Sequence, residues 1–88
     1  MTLRAEDNDH VEDFTWAMPQ IVARGNDRTL DLMTVYGRVQ DRLKAAGRPS
    51  MSVGTFRRLC RATGLSVTAP DSLGRRFFTG LCLLGDDD

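Results

Sequence analysis

The 88-residue sequence predicts a small, mainly α domain of three helices closed by a C-terminal β-hairpin, with an all-α four-helix arrangement as the alternative. Three observations carry this. The length allows one core and no second domain, so residues 1–88 are read as a single unit. Three consecutive stretches place apolar residues at the spacing of one helix face. The last third instead gathers β-branched and aromatic residues around the turn-rich "PDSLG".

The first helix is expected over His10–Arg24, where Val11, Phe14, Met18, Ile21 and Val22 share a face and Asp9 can cap the start. Pro19 has no N–H to donate four residues back, so a kink or an end at Met18 is expected there. "RGNDR" reads as a turn. The second helix spans Leu30–Ala46, with a stripe of Leu32, Val35, Tyr36, Val39, Leu43 and Ala46. Asp27 or Thr29 is its expected cap and Gly47 its stop, and Gly37 within it suggests a close approach by a neighbouring helix.

The third helix begins after Ser52 and ends at Gly64. On a helical wheel Val53, Phe56, Leu59, Cys60 and Thr63 cluster, while Gly54, Arg58, Arg61 and Ala62 lie opposite and Arg57 flanks. The remainder, "SVTAPDSLGRRFFTGLCLLGDDD", fits two readings. As a helix it has a Thr68-x-x-Asp71 capping box and a Leu73, Phe77, Leu81, Leu84 stripe. As a hairpin it has "LSVTA" and "RRFFTGLCLL" as strands, a slightly better fit because Gly74 and Gly80 weaken a helix.

The formal net charge of zero conceals segregation. Residues 1–13 carry −4 and residues 86–88 carry −3, whereas the body between them carries +7. Both acidic ends, 1–9 and 86–88, read as solvated and flexible, and as weak competitors for any nucleic acid on the basic body. No apolar run approaches the ~20 residues of a membrane span, and "MTLRAEDNDHVEDF" does not read as a signal peptide. Cys60 and Cys82 suggest neither a disulfide scaffold nor a metal pair. The expectation is a soluble cytoplasmic protein with reduced thiols and no cofactor.

Catalytic chemistry is poorly supplied. The single histidine, His10, has no evident partner, the carboxylates sit mainly at the ends, and no phosphate-cradling glycine loop exists. The reading is therefore non-enzymatic. Binding is better supplied: Arg48, Arg57, Arg58, Arg61, Arg75 and Arg76 face only Asp71 between residues 48 and 76. The guanidinium fork suits phosphate oxygens and guanine edges, and Ser52 and Thr55 can add phosphate contacts at a helix start.

The stretch "VYGRVQDRLKAAGRPSMSVGTFRRLCRATGLS", about a third of the chain, resembles the helix–loop–helix unit of winged helix-turn-helix DNA-binding domains. The resemblance implies Val53–Thr63 as recognition helix, with Thr55, Arg58 and Arg61 facing bases or phosphates. It also implies that Arg75 and Arg76, beside "PDSLG", act as a wing on the DNA backbone. The leading expectation is thus a small duplex-DNA-binding regulator or accessory factor. The final run "FFTGLCLL" is more apolar than a wing strand needs and is a candidate homodimer contact. The alternative is a protein-interaction module whose basic face binds an acidic protein partner.

Overall fold

The computed structural model describes residues 5–25 and 30–84. Within them the chain forms α1 (Ala5–Asn8), α2 (Val11–Ile21), β1 (Val22–Arg24), α3 (Leu32–Ala45), α4 (Val53–Ala62), β2 (Ser66–Val67), β3 (Phe78–Thr79) and β4 (Leu81–Leu83). The domain is mainly α, as the apolar spacing predicts. It also carries two small antiparallel sheets, β1–β4 and β2–β3.

The acidic stretch at 5–8 is a departure: it forms α1 rather than part of a solvated end, and Asp7 is fully buried. His10, not Asp9, occupies the N-cap position of α2, without a side-chain bond. Pro19 lies inside α2, which continues past Met18 to Ile21. Thr15, whose carbonyl Pro19 cannot serve, is exposed, so water can take that acceptor. Helix does not extend to Arg24. Val22–Arg24 run extended instead and pair with Leu81–Leu83, opposing Val22 to Leu83 and Arg24 to Leu81.

The α3 stripe is core: Leu32, Val35, Val39 and Leu43 are buried, and Tyr36 donates its hydroxyl to the Met51 carbonyl at 2.8 Å. Ala46 is the exposed exception, at the C-cap. The N-cap is Asp31, whose side chain accepts from the Met33 N–H at 2.8 Å. The expected caps Asp27 and Thr29 lie outside the described residues, as do Asp86, Asp87 and Asp88. Gly47 takes φ +71°, letting its own N–H reach Lys44 O and the Arg48 N–H reach Leu43 O. That pattern closes the helix and turns the chain away at Arg48.

Helix α4 starts as expected. The Ser52 hydroxyl accepts from the Thr55 N–H at 3.1 Å. At the other end the Gly64 N–H reaches Arg61 O and the Leu65 N–H folds back to Cys60 O. The expected hairpin forms between β2 and β3, pairing Ser66 with Thr79 and Val67 with Phe78. The second strand does not continue through "FFTGLCLL". Gly80, at φ +78°, breaks it, and Leu81–Leu83 turn to β1. The other edge of the β3 segment also meets the start of α3: Phe78 N–H donates to Leu30 O and Leu32 N–H to Arg76 O.

This accounts for the apolar run within the chain. Phe78 and Leu81 are buried and Leu83 packs against the core. Phe56 sits at the centre, its ring 5.7 Å from Phe14, 5.5 Å from Tyr36 and 6.5 Å from Phe78. No helix among the described residues is long and apolar enough to cross a membrane.

Gly37 does not mark a close approach, since a Cβ there would meet nothing within 4 Å. Gly37→Ala is therefore expected to raise stability by up to about 1 kcal/mol, because alanine loses less backbone freedom in a helix. Urea denaturation checks this: the midpoint should rise with an unchanged slope.

Candidate nucleic-acid interface

Three short connections position the arginines. Gly47 aims Arg48 back across α2, Ser52 begins α4, and the β2–β3 loop carries Arg75 and Arg76. Helix α4 buries Thr55, Phe56, Leu59 and Cys60 and leaves Arg61 and Ala62 exposed, with Gly54, Arg57 and Arg58 half-buried. Its outer face is thus arginine interleaved with small residues.

The eight residues singled out from sequence separate into three groups. Ser52 caps α4 while remaining exposed. Arg48, Thr55, Arg58 and Arg75 are engaged by carboxylates of this same chain. Arg57, Arg61 and Arg76 make no ion pair with the described residues; Arg61 is exposed and the other two are half-buried.

Thr55 does not face outward. It is buried, and its hydroxyl donates to Asp7 Oδ1 at 2.9 Å. The position lies on the flank of α4 that α1 covers. Arg58, one turn further on, grips the same carboxylate with two prongs: Nε to Oδ2 at 2.7 Å and Nη2 to Oδ1 at 2.9 Å. Glu6 adds a third contact to Nη2 at 3.2 Å. The hydrogen bond to Asp7 raises the Arg58 pKa above its ordinary value, so the guanidinium stays charged. Planar two-point pairing of this kind is the strongest form of carboxylate recognition a side chain offers.

Arg48 is held similarly. Its Nη1 donates to Asp13 Oδ1 at 2.6 Å while the guanidinium lies 4.2 Å from the centre of the Trp16 ring. Both partners are on α2, so the contact ties the α3–α4 connection to that helix. In the β2–β3 loop, Asp71 Oδ1 accepts from the N–H groups of Leu73 and Arg75, each at 2.9 Å, and Oδ2 from Arg75 Nε at 3.1 Å. Arg75 therefore helps close its own loop.

Asp7, Glu6, Asp13 and Trp16 are the residues sequence reasoning missed. Charge segregation signals attraction between the N-terminal acids and the basic body. Nothing in helical periodicity pairs Asp7 with a position 51 residues away. Cys60 is buried and its thiol is pushed up to about 12, which keeps it protonated and unreactive.

No protein-family model matches the chain, and neither curated proteins nor solved structures supply a match.

Two outcomes test this geometry. Thr55→Val keeps the side-chain volume but removes the hydroxyl that serves buried Asp7, and should lower stability by about 1–3 kcal/mol in urea denaturation. Asp71 is held below its ordinary 3.8, mainly by the Arg75 N–H and further by the Leu73 N–H and the Arg75 charge, against partial desolvation. A depressed carboxyl contributes its hold above the ordinary carboxylate range and loses it as pH falls through the folded value. The Leu73 and Arg75 amide resonances should thus stay constant from neutral pH down through the ordinary carboxylate range and move only below it.

Proposed function

We propose that the chain binds duplex DNA, presenting α4 as the element that meets the groove and the β2–β3 loop as a contact to the flanking backbone. The observation that carries this is the outer face of α4. Arg61 lies on it and Arg57 on its flank, both unpaired with any described residue, and exposed Ala62 adds little bulk beside a phosphate backbone.

The order of elements supports the reading. A helix pair joined by a short capped loop is followed by a two-stranded hairpin with Arg75 and Arg76 in its loop, the sequence of parts expected of a winged helix-turn-helix. Arg61 is the principal contact, Arg57 flanks it, and Arg76 serves the backbone. Arg48 and Arg75 act chiefly within the fold. Nothing in this reading requires catalysis or a cofactor.

A second reading, recognition of an acidic protein partner, is favoured by one feature: α4 already accepts carboxylates, from Asp7 and Glu6 of its own chain. The two separate experimentally. Fluorescence polarisation with a mixed-sequence duplex across a salt series should show affinity falling steeply with salt. Arg57→Ala and Arg61→Ala should each reduce the log–log slope by about one. Absence of binding to any duplex at low salt, together with co-purification of a defined acidic protein, would favour the second reading instead.

A further inference from the structure

The contact between α1 and α4 has an unusual composition. Of the α1 side chains only Asp7 is buried; Ala5, Glu6 and Asn8 are exposed. Among the described residues α1 therefore places no apolar side chain in the core, and its side-chain contacts to α4 include the charge-assisted hydrogen bonds of Asp7 and Glu6. A four-residue helix does not persist alone, because helix nucleation is unfavourable, so α1 depends on its seat against α4.

That seat lies on the flank of the proposed DNA-binding face. Asp7 binds Arg58 through two oxygens and Thr55 through one of them, as a phosphate would bind an arginine and a hydroxyl at the start of a recognition helix. Glu6, 62 % exposed, adds negative charge at the same edge. Carboxylate and phosphate thus compete for the same donors.

We propose that α1 is a displaceable acidic latch which occupies Arg58 and Thr55 in the free protein and yields them to a DNA phosphate on binding. This rests on the DNA-binding reading and adds regulation to it. Arg57 and Arg61 are then permanent contacts, whereas Arg58 is conditional. Because docked α1 and bound phosphate exclude each other at Arg58, their free energies are linked reciprocally. Whatever draws α1 away tightens DNA binding, and DNA loosens α1.

Polarisation titrations of the full chain with a mixed-sequence duplex at low salt test this, comparing wild type, Asp7→Asn, Glu6→Gln, Arg58→Ala, Asp7→Asn/Arg58→Ala and Arg61→Ala. The latch predicts about 3–10-fold tighter binding for Asp7→Asn, with a salt slope steeper by about one phosphate. It predicts a smaller tightening, roughly twofold, for Glu6→Gln, and no tightening by Asp7→Asn once Arg58 is absent. Should Asp7→Asn fail to fold, Glu6→Gln and hydrogen exchange on the wild type still decide. Amides of residues 5–10 should lose protection on saturation with duplex.

If Asp7→Asn folds and binds no tighter while Arg61→Ala still weakens binding, the latch is overturned and the DNA-binding reading stands. Unchanged protection of residues 5–10 in a demonstrated complex overturns it equally. Duplex binding absent in wild type, Asp7→Asn and Glu6→Gln alike overturns both.

Discussion

The Phe56 ring is the constraint on which the rest of the structure depends. It is fully buried and meets Phe14 from α2, Tyr36 from α3 and Phe78 from β3. Three elements distant in sequence therefore share one residue of α4. A domain of this size buries a modest fraction of its surface, so a single aromatic junction has few substitutes. Seating Phe56 fixes the rotation of α4 about its axis. That rotation turns Leu59 and Cys60 inward and leaves Arg61 on the opposite side, with half-buried Arg57 on the flank. The position of the candidate interface thus follows from packing before any electrostatic interaction is considered.

Charge then refines what packing has placed. Two acids from the N-terminal region each take an arginine from the second half of the domain, Asp7 with Arg58 and Asp13 with Arg48. Their environments differ. Asp7 has no exposed side-chain surface, whereas the Arg48–Asp13 pair keeps a third of the Arg48 side chain in solvent and is backed by Trp16. Removing one member of a buried pair leaves an uncompensated charge, and Asp13, like Asp7, is buried. The Arg48 contact therefore serves as a fastening between α2 and the start of α4. The Asp7 contact determines how much of the α4 charge is available outside.

What could be read from the sequence follows from the range of the interactions involved. Local signals were legible: the Ser52 cap, the stops at Gly47 and Gly64, the α3 stripe and the hairpin around "PDSLG" each depend on residues a few positions apart. Pro19 does not end α2 at Met18, because at an exposed position late in the helix its missing hydrogen bond is tolerated. Strand β1 was missed since Val22–Arg24 becomes a strand only by pairing with residues some sixty positions away. The same limit applied to the arginines. Composition showed that they were many, but the division between Arg58, gripped by Asp7, and Arg61, left exposed, is tertiary.

That division alters how the basic character of the domain should be counted. Arg48, Arg58 and Arg75 each have a carboxylate within hydrogen-bonding distance, so their charge is largely compensated at short range. The basic side chains without an ion pair among the described residues are spread over the domain, Arg24, Arg42, Lys44 and Arg76 as well as Arg57 and Arg61, and the field of each falls off within a Debye length of roughly 8–10 Å. A charged group bound to an internal partner can join only by exchanging that partner, which is a step at contact distance. Thus the acids that bring the formal net charge to zero also divide the arginines of α4: Arg61 is exposed, Arg57 is half-buried without an ion pair among the described residues, and Arg58 is compensated by Asp7.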